Sequence, residues 1–224
     1  MGGLQPLAGI AAMLAMLPAA LWITVAAVML LFAGAALMTR EAWRLLPLLM
    51  PWLLLLGLLA VLWERSGAGE GAVADSGAWV VLHILVSVAT YALLTLAAVA
   101  GLAVMLQERA LKARKRPTRL THSLPSVADC EALQIRLLTA SAVVLAIGVL
   151  TGMASGWVVR GSLLSFDHKT LLVLAGLVVI CLLLWAHHRT GLRGRRAARI
   201  VLLAWGLLTL GWLGVKFVTD VLIG

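Results

Sequence analysis

Runs of about 20 consecutive apolar residues recur along almost the whole chain, the length an α-helix needs to cross a hydrocarbon core roughly 30 Å thick. Few folds are open to such a sequence. In lipid every backbone N–H and C=O must be satisfied within the protein, so only helices and closed barrels span a membrane. Barrel strands alternate apolar and polar residues in short segments, whereas here Leu and Ala run on without alternation. Of the 224 residues 63% are hydrophobic and 12% charged, which leaves no water-soluble domain of useful size between the runs. The expected fold class is all-α, a polytopic transmembrane helix bundle of six or seven spans forming one integral membrane domain over residues 1–224.

Seven apolar segments can be marked, at roughly 4–17, 20–39, 43–63, 79–106, 136–157, 169–187 and 199–222. The first is short and ends at Pro18. It is a span, a re-entrant piece, or half of a longer helix kinked at the proline. No basic leader precedes it, so a cleaved signal peptide is not expected. Pro47 and Pro51 predict a kink in the third segment.

Charge sets the expected orientation. The net charge is +9, and fourteen of the eighteen Lys and Arg residues fall in alternate connections. Arg40 and Arg44 lie in one, Arg109, Lys112, Arg114, Lys115, Arg116, Arg119 and Arg136 in the longest, and Arg189, Arg193, Arg195, Arg196 and Arg199 in the last. The positive-inside rule assigns these to the cytoplasm. The connections at 64–78 and 158–168 and the C-terminus then lie outside, in a bacterial inner (plasma) membrane. Trp63, Trp79 and Trp157 mark the outer interface, and Trp43 and Trp185 the inner one. The basic excess reads as a topology signal, with membrane lipid as a partner and anionic lipid as an aid, and nucleic-acid binding is not expected.

Ionisable side chains in or beside a span are costly and are functional candidates for that reason. His83 lies about one turn inside the fourth segment, and His168 opens the sixth. Both belong to the outer edge. His187 ends the sixth segment at the inner edge. Nineteen residues at 1.5 Å each separate His168 from His187 by about 29 Å, so one ligand cannot hold both. Neutral imidazole is a common metal and haem-iron ligand. A histidine at a helix end is also a common interfacial residue, and that reading suits His122 and His188 in their basic surroundings. Cys130, in the long basic connection, and Cys181, within the sixth segment, sit at different depths, so neither a disulfide nor C-x-x-C chemistry is expected. No P-loop, H-E-x-x-H or dinucleotide fingerprint occurs.

The stretch from Phe166 to Val218 carries Asp167 and Lys169 before a helix, then His187 and Arg189, then G-x-R-G-R-R-A at Gly191 to Ala197, and Leu-Gly-Val at 213–215. Upstream, LHILVSVATYALLTLAAVAGLAVMLQERALK places His83 eight residues before Tyr91, and LAIGVLTG follows at 145–152. Together these pieces resemble the cytochrome c assembly protein family over about residues 43–222, and are most similar to its YpjD/HemX-like members. The resemblance implies a helix that opens with a haem-ligating histidine, here His83. It also implies a Trp-rich outer loop ending in Asp. This chain keeps one Trp, Trp157, and Asp167 of that loop, and ends without a second outer histidine.

The function expected is therefore that of a haem-handling membrane protein, binding or translocating haem b held non-covalently, with His83 and His168 as axial ligands. Arg160 is expected to pair with a propionate, Asp167 to orient an imidazole, and His187 to mark haem arriving from the cytoplasmic side. No bond-making chemistry is evident, so an enzyme is not expected. Cytochrome c assembly or tetrapyrrole-pathway proteins are the expected partners. The alternatives are a haem-free scaffold or regulator docking a cytoplasmic partner, or a permease subunit.

Overall fold

The computed structural model describes residues 5–65, 78–113, 119–160 and 168–211. Every regular element among them is helical. α1 runs over Gln5–Met38, α2 over Leu46–Arg65, α3 over Ala78–Ala113, the short α4 over Arg119–Ser123, α5 over Val127–Arg160, α6 over His168–Thr190 and α7 over Gly194–Thr209. A six-residue 3-10 turn, Arg40–Leu45, joins α1 to α2. Five stretches among the described residues are long and apolar enough to cross a membrane: Ala20–Met38, Glu41–Glu64, Leu82–Ala113, Val127–Ala154 and Thr170–Thr190. Leu30, Leu37, Leu54, Leu150 and Trp185 stand exposed on their surfaces, which is tolerable only where lipid replaces water. The chain is a multi-pass membrane protein.

The first two apolar segments form one helix. α1 continues through Pro18 for 34 residues, and α2 likewise continues through Pro51. Pro47 falls in the first turn of α2, where a missing N–H costs nothing.

α3 is the centre of the bundle. Two-thirds (67%) of its span is buried, against 17–28% of the other four spans. It packs most extensively on α5, then on α7 and α1, while α1 packs on α2, and α6 on α7 and less on α5. Between helices in lipid there is little hydrophobic drive, and close van der Waals packing of small residues takes its place. α3 supplies Ala92, Ala97, Ala98, Ala100 and Ala103, all buried. At Gly101 an added Cβ would lie 3.5 Å from the Cα of Ala198, so α7 crosses here nearly backbone to backbone. One core cluster joins Val28 and Phe32 of α1 to Leu49 and Leu53 of α2 and Leu96 and Ala100 of α3. A second joins Leu94 of α3, Leu138 and Leu145 of α5, Ile180 and Leu183 of α6, and Val201 and Leu208 of α7.

Two helices outrun the apolar segments that predicted them. α3 extends to Ala113 rather than 106, and α5 begins at Val127 rather than 136. At about 1.5 Å per residue these are extensions of about 10 and 14 Å. Apolar runs mark where lipid ends and not where the helix does. α5 begins where it does because Ser126 caps it: the Asp129 N–H donates to Ser126 Oγ at 3.2 Å, and the Ser126 hydroxyl donates to Asp129 Oδ2 at 2.5 Å. Much of the expected basic loop at 107–135 is therefore helix. Cys130 sits in α5, buried, with its Sγ 3.8 Å from the Pro125 carbonyl.

The three basic connections meet at one end of the bundle. Arg44, in the first, donates from Nε to the Ser123 carbonyl at 2.7 Å and from Nη2 to that of His122 at 3.2 Å. The third is gripped by carboxylates from the two long helices. Gly194 N–H donates to Glu131 Oε1 at 2.7 Å and Arg195 N–H to Glu108 Oε1 at 3.2 Å. Carboxylates at the start of α7 satisfy orphan N–H groups and oppose the positive end of its dipole.

Candidate functional site

At the opposite end, His83 sits half-buried near the start of α3. Its imidazole lies against the backbone of α5: a Cβ added at Gly152 would come within 3.0 Å of His83 Cε1. Its Nδ1 is 3.2 Å from Thr151 Oγ1. The direction of that bond follows from proton counting. A threonine hydroxyl has one proton, and that of Thr151 is donated to the Gly148 carbonyl at 3.0 Å. With its proton on that carbonyl the hydroxyl accepts from His83, and in this arrangement Nδ1 is the ring nitrogen that carries the proton. Nε2 makes no hydrogen bond among the described residues, and in the neutral ring it is the nitrogen with a free lone pair.

His168 is the first residue of α6, and Arg160 the last of α5. Their side chains, and Asp167 altogether, lie outside the described residues. α5 and α7 each pack against both α3, which carries His83, and α6, which carries His168.

His187 lies at the other end of α6. The helix is continuous from His168 to Thr190, which keeps the two histidines about 29 Å apart. Gly191, at φ 66, ends the helix with its N–H donating to the His187 carbonyl at 3.1 Å, a left-handed cap. His187 Nδ1 lies 2.9 Å from the Leu192 carbonyl. A carbonyl only accepts, so Nδ1 is the donor here also, and Nε2 is left over in the neutral ring. His188 is exposed and stacks edge-on against His187 at 5.5 Å; His122 is exposed as well.

Between the two ends runs a set of polar contacts that no motif announced. Tyr91, buried, has its hydroxyl 3.2 Å from Thr209 Oγ1. Trp205 Nε1 donates to Thr95 Oγ1 at 3.1 Å, and the Trp205 ring meets Trp52 edge-on at 4.8 Å. Thr151, Thr95 and Thr209 were missed because spacing alone does not mark them. Seven threonines, Thr95 and Thr209 among them (the others Thr24, Thr39, Thr90, Thr139 and Thr190), bond the carbonyl four residues back, an ordinary habit in apolar helices. Only the partner across the interface separates them. Gly152, next to Thr151 in the segment 145–152, is the one signal in the sequence, since a residue without Cβ is what lets an imidazole lie on the helix.

Comparison with known proteins adds the family. The family model described as Cytochrome C assembly protein matches residues 10–223. A protein of Azospirillum brasilense, "Uncharacterized 28.8 kDa protein in nifR3-like 5'region", is 58% identical over 208 residues, which is 93% of this chain and 76% of that protein. No solved structure matches. A match over nearly the whole chain, on a helical membrane bundle with His83 and His187 at its two ends, makes this chain a member of the cytochrome c assembly protein family.

Proposed function

We propose that the protein handles haem in the membrane, as part of cytochrome c biogenesis, and that it binds haem b at the outer end through Nε2 of His83. The observation that carries this reading is the Thr151–His83 bond, which orients one imidazole whose other nitrogen has no hydrogen-bond partner among the described residues. A histidine that ligates a metal usually has its second nitrogen held in this way. The donor set also suits haem better than a bare ion. Among the described residues no three His, Cys, Asp or Glu side chains converge, whereas a porphyrin brings four nitrogens of its own and asks the protein only for axial ligands. The iron supplies ligand binding or redox chemistry when bound; the protein's part is to hold the imidazole, exclude water and position the propionates.

His168, the first residue of α6, would be the second iron ligand, Arg160, the last residue of α5, would pair with a propionate, and Asp167 would orient an imidazole. His187 stands at the opposite end, where haem arriving from the cytoplasm first meets the protein, with its Nδ1 held by the Leu192 carbonyl. Topology follows the charge: basic connections in the cytoplasm, C-terminus outside, in the inner (plasma) membrane. Nothing in this role requires bond-making chemistry on a substrate. Its proposed partners are cytochrome c assembly or tetrapyrrole-pathway proteins.

Absorbance of the detergent-purified protein, with and without added haem, tests the reading. Wild type should show a sharp Soret band and, when reduced, split α and β bands. His83→Gly should lose them and regain them with free imidazole, and His168→Ala should lose the low-spin pattern. A wild-type spectrum in His83→Gly without imidazole sinks the site. Absence of haem binding by wild type sinks the function and leaves a haem-free scaffold.

A further inference from the structure

The basic end holds an open cleft of about 670 Å³ between the end of α3, the turn at 191–193 and the start of α7. Lys112, Arg193, Arg195, Arg196 and Arg199 line it with a single carboxylate, Glu108. That carboxylate is already engaged by the Arg195 N–H. Arg195 Nε is buried and makes no hydrogen bond among the described residues. The arrangement is electrostatically unfavourable as it stands. Arg195, Arg196 and Arg199 occupy the first two turns of α7, the positive end of a helix dipole, where cations destabilise and anions stabilise. Glu108 and Glu131 offset part of this, and five cations around one cleft leave a net positive site.

Depth decides what fills it. Trp185, exposed on α6 five residues before Thr190, is an interfacial anchor. The turn after Thr190 therefore lies at the level of the lipid headgroups on the basic side. Leu182 of α6 and Leu203 of α7, farther along the same two helices, are exposed apolar residues. A cationic cleft opening at headgroup depth beside lipid-facing helices suits a phosphate diester carrying acyl chains, and basic pockets between helices at this face are a recurrent way of holding such groups.

We propose that this cleft is a binding site for the headgroup of an anionic phospholipid of the basic-side leaflet. Its phosphate takes the guanidinium groups of Arg195, Arg196 and Arg199, with Lys112 and Arg193 closing the opposite wall. Guanidinium pairs bind phosphate oxygens two at a time. Occupancy ties the α6–α7 turn to the end of α3. The site is separate from the haem reading, since it uses none of the histidines.

The test uses full-length protein in a neutral detergent, stripped of lipid, and reads its melting temperature. Phosphatidylglycerol should raise the melting temperature by several degrees over phosphatidylcholine of the same acyl chains, and the shift should shrink in high salt. Arg196→Gln/Arg199→Gln, both exposed, should melt normally in phosphatidylcholine and lose most of the anionic-lipid shift. Lys112→Gln/Arg193→Gln should lose it in part, and Arg136→Gln, outside the cleft, should keep it. Equal shifts from the two lipids, or an undiminished shift in Arg196→Gln/Arg199→Gln, overturn the site. A comparable shift from inorganic phosphate alone overturns the lipid as its source. Because the readout is melting, its failure leaves the Soret measurements on His83 untouched.

Discussion

The smallest unit with functional content is the chain His83–Thr151–Gly148. Thr151→Val keeps the shape of the side chain and removes the hydroxyl. The imidazole then loses the acceptor that fixes its tautomer, and His83 Nδ1 is left half-buried with no partner. Loss of an outer-shell partner of this type costs about 10–100-fold in metal affinity, so haem titration followed at the Soret band should show weakening of that order, with Thr151→Ser close to wild type. Unchanged affinity in Thr151→Val would mean that the bond serves packing alone. At this scale the sequence was partly legible. Histidines are rare in apolar runs, so His83, His168 and His187 stood out at once. Thr151 did not, because the contact that distinguishes it joins residues 68 positions apart.

At the scale of elements, the helical class and the order of the long spans were readable, while helix ends, the union of the first two apolar segments in α1 and the short α4 were not. Length and apolarity predicted each span, since backbone satisfaction in lipid leaves no alternative. The ends are set by local polar chemistry: Ser126 starts α5, and Gly191 stops α6 with Gly194, also at positive φ, opening α7. The two glycines separate strain from contact. At both, a side chain in the left-handed region costs about 1–2 kcal/mol. Around Gly191 there is open space, but a Cβ at Gly194 runs into the Glu108 carboxylate. Gly191→Ala should therefore lower stability by about that amount, and Gly194→Ala by clearly more, as read from thermal melting in detergent. Equal losses would show that the Glu108 contact yields freely.

For the molecule as a whole, orientation is the quantity most worth fixing, because every site assignment depends on it. Arg44, Glu108 and Glu131 draw the three basic connections to one end, so the positive-inside rule acts on one surface instead of three scattered loops. A reporter active only outside the cytoplasm should work when inserted near residue 70 and fail near Lys115. The reverse pattern would move His83 to the cytoplasmic side and His187 to the outside. The carboxylates that gather this end also carry a consequence for how the protein is made. Glu108 and Glu131 emerge from the ribosome well before Gly194, so α3 and α5 present an acidic socket for which the chain has not yet supplied the plug. The α6–α7 hairpin is synthesised after both, and its insertion completes the socket by bringing two backbone N–H groups to two waiting oxygens. A nascent chain halted before Gly194 has both carboxylates but neither of the two backbone N–H groups that they accept in the finished bundle.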